Sequence, residues 1–441
     1  MSVEKTFEEL LEEFLEKSRD MIGEEAYEHS RIPYGTPTPI ISDVNMDYKN
    51  IRWFAHQLSD LNPLYIDPAY AAKSRYGCII APPSILSSVR YHSAHGAGPY
   101  GDYPAASMFS GTCFEWFDVI RLGTRFKTSK TLGEVFEKKG RRSGRLYFMI
   151  YDVYYWDFHN DLLAKSYGTM IWSPRRTVMA RITGREEDRM GEQLLHTRGV
   201  YKYSRDELKK IEGGMLNEHR RGAQPRHWED VTVGDKLETI VKGPWTVHDM
   251  IAYDIGHHSG AAFERRFRSQ REEEKERGTQ VRGNIVTGWP YGGGAGHEDA
   301  VICHRDGRFP LPYDYGGQRV TFPVHVVSNW MGDDGFIRMS YLQTREPALY
   351  GDVTWYTAEV VDKYKVTEKG EEEGVPGKEE YAAVDVYIKG VNQLGELSSP
   401  AVVTVYLPSY DLGSVKLPIP HPKKVPYRPF LDYYVKVRKR V

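Results

Sequence analysis

Residues able to move a proton gather in two stretches of this chain. The first runs from Trp53 to Leu86, where Asp60 and Tyr65 bracket Leu61-Asn62-Pro63-Leu64. On an unbroken helix two residues five apart stand roughly 140° from one another. Pro63 breaks the helix by driving the residue before it out of the helical region. A carboxylate and a phenol are then able to converge on a kink beside an apolar wall. A plainer arrangement fits the same residues, with Asp60 as a helix cap and Asn62-Pro63 as a turn. The second stretch holds Asp254, His257, His258 and Glu264, a carboxylate and imidazole set suited to acid–base work. Asp254 and His257 are also one helical contact apart, and the two histidines equally fit as caps of a helix over 249–256. Arg265, Arg266 and Arg268 read as a solvated face or as a clamp for a carboxylate or phosphate. His257, His258 and His297 with Glu298 or Asp299 have poor metal spacing, and no metal is expected. The run Gly292 to Gly296 lacks the Gly-Lys-Ser/Thr that a phosphate-cradling loop requires.

The elements that must position these groups divide in two. A chain of 441 residues is too long for one ordinary core. The boundaries read as 1–180, a helical connection over 181–224, and 225–441. Net charge is −2, which leaves no nucleic-acid or membrane footprint. Cys78, Cys113 and Cys303 are far apart, with neither zinc spacing nor a disulfide framework, so a reducing cytoplasm is the expected home. The first residues are acidic and helix-periodic rather than an export signal, and no apolar run approaches bilayer length. A helix is expected over 4–20, an extended lead-in over 31–43 and a loop over 90–110. Strands follow over 111–119, 126–139, 145–157 and 162–172. The basic turn from Lys138 to Arg145 is either a solvated tip or a contact for carrier phosphates. Between the halves Ser204 to Leu216 reads as a charged helix, and 366–380 as a mobile acidic hairpin insertion. The halves look like distant repeats, Trp53-Phe54-Ala55 matching Ile251-Ala252-Tyr253 and strands 111–172 matching 317–407.

The segment around Asp60, Asn62, Pro63 and Asp67, continued by Tyr76 to Ala81, resembles the hydratase signature of the MaoC-like family. These are the (R)-specific enoyl-CoA hydratases and acyl dehydratases. The resemblance covers most of 35–175 and 225–408, and the strand opening Gly351 to Trp355 and the hairpin Asn392 to Glu396 add to it. It implies an α+β double hotdog, two antiparallel sheets each wrapped around a central helix and joined into one. In the family an Asp and a His share the acid and base work. The amide of a His-Gly pair at the mouth of the central helix steadies the thioester oxygen. Here the family His falls on Tyr65 and the His-Gly pair on Pro82-Pro83. Proline has no N–H to give, and losing one such donor costs about 3 kcal/mol of transition-state stabilisation.

By this resemblance the N-terminal half is the acyl-pocket half, with Asn62, Tyr65 and Pro83 in substrate binding. The C-terminal half is the expected catalytic half. Gly288, in Thr287-Gly288-Trp289, would supply the amide, with Trp289 in substrate binding. Asp60, Asp254, His257, His258 and Glu264 are the acid–base candidates. The activity implied is hydration of a 2-enoyl thioester or dehydration of a 3-hydroxyacyl thioester, a carbon–oxygen lyase reaction. The alternatives are thioester hydrolysis on the same fold, or a non-catalytic subunit that binds acyl-CoA or supports an active partner. No cofactor is expected beyond the CoA thioester that carries the substrate. The expected partners are acyl-CoA or an acyl carrier and, as a homo- or hetero-oligomer, a second copy or a related subunit.

Overall fold

The computed structural model describes residues 5–26, 39–42, 44–91, 99, 101–140, 144–185, 187, 190, 197–256, 268, 271, 295–301, 303 and 309–440. Among them ten strands form one antiparallel sheet. The strands are β1 (Ile40–Ile41), β2 (Ala105–Trp116), β3 (Phe126–Gly140), β4 (Gly144–Asp157), β5 (Leu162–Pro174), β6 (Lys236–Lys242), β7 (Phe336–Gln343), β8 (Thr354–Lys369), β9 (Lys378–Asn392) and β10 (Leu397–Leu407). Their order across the sheet is β1-β3-β4-β5-β2-β7-β10-β9-β8-β6. Read inward from either edge, the two halves have the same plan: a first strand, then the third, fourth and fifth, then the second. The repeat inferred from sequence is thus a repeat of topology. The halves meet where β2 pairs β7, from Gly111 opposite Gln343 to Glu115 opposite Met339. At Gly111 a side chain would collide with the Leu342 carbonyl oxygen, and φ there is +151°. Glycine is what lets the two edge strands close up.

Each half wraps its sheet around a short helix. In the N-terminal half this is a 3₁₀ turn, Pro83–Ile85, running into the helix Leu86–Val89. In the C-terminal half it is Thr321–Met331, every residue of which is buried. Burying Phe322, Val324, Val326, Val327, Trp330 and Met331 contributes about 1.5–3 kcal/mol each. That is enough to hold three polar residues, His325, Ser328 and Asn329, inside the same core. The opposite face of the sheet is covered by the C-terminal helix Phe430–Arg438. Its Phe430, Tyr433 and Val437 pack with Cys113, Phe148, Ile150, Tyr167, Met339 and Tyr341. Because both faces are covered, β7 is buried at all eight positions and shows no alternation.

The expected strands of the N-terminal half agree with β2 to β5 within a few residues, although β2 begins at Ala105, inside the span read as a loop. The C-terminal half needs a correction: residues 317–331, read as the start of a strand region, are helical. Its central helix therefore starts at Thr321, and Gly288 is not its opening residue. The acidic insertion is also shorter than read. Strands β8 and β9 run into it, and its tip is tied down by paired hydrogen bonds between Val375 and His421 and by the Lys423–Glu373 ion pair at 2.8 Å. Among the described residues no helix is long and apolar enough to cross a membrane.

Candidate active site

The helix Tyr48–Gln57 is capped at its start by Asp47, whose carboxylate accepts from the Asn50 amide. At its end Ser59 takes a positive φ of 53°, and the Asp60 amide donates back to the Ala55 carbonyl at 2.9 Å. This left-handed step turns the Asp60 side chain inward, where the residue is 4% exposed. Asp60 Oδ1 then accepts from the Asn62 amide at 3.3 Å, and Asn62 Oδ1 accepts from the Leu64 amide at 3.0 Å. Pro63 opens the four-residue helix Pro63–Ile66, where its missing N–H costs nothing. Asn62 is thus engaged as the cap of this helix.

Tyr65 is buried, and its hydroxyl lies against that of Ser328 on the C-terminal core helix. Burial first, and the Asp60 charge second, push this phenol well above its ordinary range, so it stays a neutral donor. Pro83 has a structural contact: its carbonyl accepts from the Trp116 indole N–H at 3.1 Å.

The partner that sequence reasoning missed is His325. It projects from the middle of Thr321–Met331, 2% exposed, with Nε2 3.7 Å from Asp60 Oδ1. The same nitrogen is 2.7 Å from Glu218 Oε1. Glu218 comes from the connection between the halves and also accepts from Asn329 Nδ2 at 3.0 Å and from Arg220 at 2.7 Å. Burial alone would raise the Glu218 carboxyl. The hydrogen bond and charge of His325, then Lys242 and Asn329, outweigh it and bring the group down to about 2. Lys242, on β6, is buried and donates to the Leu58 carbonyl at 2.7 Å. Its ammonium is lowered to about 8 by burial, with Glu218 and Asp60 pulling the other way. The signal for His325 was present in the sequence. His325, Ser328 and Asn329 are spaced i, i+3, i+4 in an otherwise apolar helix, which puts all three on one face.

The connection reaches this place because it caps the core helix. The last carbonyls of a helix lack intrahelical partners. Here Asn329 O accepts from the Arg221 amide at 2.9 Å, and Trp330 O accepts from Arg226 Nε at 2.8 Å.

Asp254 lies on the helix Val247–Gly256 beside Tyr315, whose phenol is raised by burial and then by Asp254 and Glu298. His257, His258, Glu264, Gly288 and Trp289 lie outside the described residues. His297 Nδ1 sits against the carbonyls of Tyr313 and Asp314 at 2.9 and 3.1 Å, its ring stacked on Tyr315. Among the described residues no group of three or more His, Cys, Asp or Glu is arranged to hold a metal ion. At the Asp60–Glu218 cluster Lys242 and Arg220 already supply the opposing charge.

Comparison with solved structures gives the fold its name. A protein described as a MaoC-like dehydratase superposes with a TM-score of 0.52 at 15% identity, over 83% of this chain and 97% of the other. The chain has the fold of that MaoC-like dehydratase, a double hotdog. Residues 42–166, most of the N-terminal hotdog, match the family model of the FAS1-like dehydratase domain region. A MaoC domain protein from Chloroflexus aurantiacus, described as a dehydratase, aligns at 10% identity over 84% of this chain and 94% of its own, with a TM-score of 0.46. A Mycobacterium tuberculosis protein described as a double hotdog aligns at 10% identity over 82% and 93%, with a TM-score of 0.44. No curated protein matches the sequence. The match to the dehydratase-region model thus falls on the half that carries Asp60, and the histidine facing Asp60 comes from the other half.

Proposed function

We propose that this protein adds water to 2-enoyl thioesters, or removes it from 3-hydroxyacyl thioesters, with Asp60 and His325 as the acid–base pair. The observation that carries the reading is the 3.7 Å approach of a carboxylate from one hotdog to an imidazole from the other. In the hydration direction Asp60 takes a proton from water as its oxygen bonds to Cβ. The π electrons move toward the thioester oxygen, and His325 gives a proton to Cα. His325 acts as the imidazolium, giving its Nδ1 proton and keeping Nε2–H. The proton gained by Asp60 makes up that loss by way of solvent as product leaves, so the pair ends as it began. Pro83 has no amide hydrogen to offer the thioester oxygen, and Tyr65, held neutral, is assigned that donation. The substrate is proposed to be an acyl-CoA or an acyl-carrier thioester.

One observation favours a second reading. Asp60 and His325 are both under 5% exposed, and Nε2 is already engaged by Glu218. This is how a polar staple between halves of a non-catalytic thioester-binding subunit would look. Incubation with crotonyl-CoA and larger enoyl-CoAs separates the two. Loss of enoyl absorbance without free thiol supports hydration, and release of thiol would indicate hydrolysis instead. Binding of the esters with neither signal supports the staple and sinks the lyase.

A further inference from the structure

We infer that Glu218 is a positioning residue for His325, which makes the connection between the two hotdogs a working part of the site rather than a tether. The inference rests on the reading of His325 as half of the acid–base pair.

Three observations carry it. The connection is docked, not draped: it caps the last carbonyls of Thr321–Met331 through the Arg221 amide and Arg226 Nε, and the Asp333 amide donates back to Gly222 O at 2.9 Å. Such two-way bonding fixes Glu218 relative to the helix that bears His325. The carboxylate is itself oriented, since Oε1 meets Asn329 Nδ2 and Arg220 as well as the imidazole, and its side chain is 10% exposed. Finally, His325 Nδ1 is buried with no hydrogen-bond partner among the described residues, so the ring is held through Nε2.

An anion 2.7 Å from Nε2 requires that nitrogen to carry the hydrogen. Glu218 thereby selects the Nε2–H form of the ring and accepts from that N–H, with Asp60 Oδ1 3.7 Å from the same nitrogen. With Nε2 occupied, Nδ1 is the one ring position left to gain or lose the catalytic proton. Glu218 does not touch substrate in this scheme. It acts by fixing the ring and by supplying counter-charge when the ring is doubly protonated.

The test uses the full-length chain with ¹⁵N-labelled histidine, as wild type, Glu218→Gln and Glu218→Leu, with His325→Asn assigning the His325 signals. The wild-type nitrogens should report a hydrogen on Nε2 and a bare Nδ1 when neutral. Glu218→Leu should convert this to a mixture of forms. On a turned-over enoyl-CoA, kcat should fall about 100-fold in Glu218→Leu and about 10-fold in Glu218→Gln, which keeps an acceptor, with KM within about twofold. Should Glu218→Leu fail to fold, Glu218→Ala, which also removes the acceptor, carries both readouts. Nitrogen signals unchanged by either substitution overturn the inference. So does an unchanged kcat in the presence of altered signals. Absence of turnover in the wild type would instead sink the lyase reading, and the nitrogen spectrum would still decide whether Glu218 holds His325.

Discussion

Replacing Glu218 by glutamine should flatten the acid side of the protein's stability profile. The Glu218 carboxyl is brought from its ordinary 4.5 to about 2: burial raises it, and the His325 hydrogen bond and charge more than reverse that. A carboxyl with a depressed native value binds fewer protons in the native than in the unfolded chain. Its stabilisation is therefore complete above about pH 4.5 and is lost as pH falls toward 2. A shift of this size corresponds to about 3 kcal/mol, of which about 2 kcal/mol is already gone at pH 3. Urea unfolding of the wild type and of Glu218→Gln at pH 7, 5, 4 and 3 reads it directly. The wild type should lose about 2 kcal/mol more than the variant between pH 7 and pH 3. Parallel losses in the two proteins would refute the strong coupling of Glu218 to His325.

Two further substitutions probe the seam and the oxyanion assignment. Gly111→Val places a side chain against the Leu342 carbonyl at the β2–β7 junction, and should cost about 3 kcal/mol in urea unfolding; an unchanged midpoint would show that the two edge strands are not so close. Tyr65→Phe should lower kcat about 100-fold with the fold intact by circular dichroism, whereas wild-type turnover would take the phenol out of the reaction.

Much of the architecture was legible because strand periodicity and repeat topology are local properties. The runs 126–139 and 145–157 coincide with β3 and β4, and the helix read from Ser204 to Leu216 spans Arg205–Leu216 with Ser204 as its cap. The kink at Asp60-Leu61-Asn62-Pro63 was legible for the same reason: proline and asparagine write their turn chemistry into adjacent positions. The C-terminal core helix was misplaced because it is buried all round. In Thr321–Met331 the polar residues His325, Ser328 and Asn329 are too few to mark a surface helix, so it reads as readily as a strand. His325 was missed for a different reason. Its partners Asp60 and Glu218 are far away in sequence, and only closure of the two halves at β2 and β7 brings them together. Pair chemistry across such a seam leaves no spacing to read.

The rate of enoyl absorbance loss in the wild type, Asp60→Asn, His325→Asn and the double variant tests the central claim most directly. If the two side chains work as one unit, each single change should cost at least about 100-fold, and the double change little more than either alone. A His325→Asn protein that folds and hydrates at the wild-type rate would contradict the account.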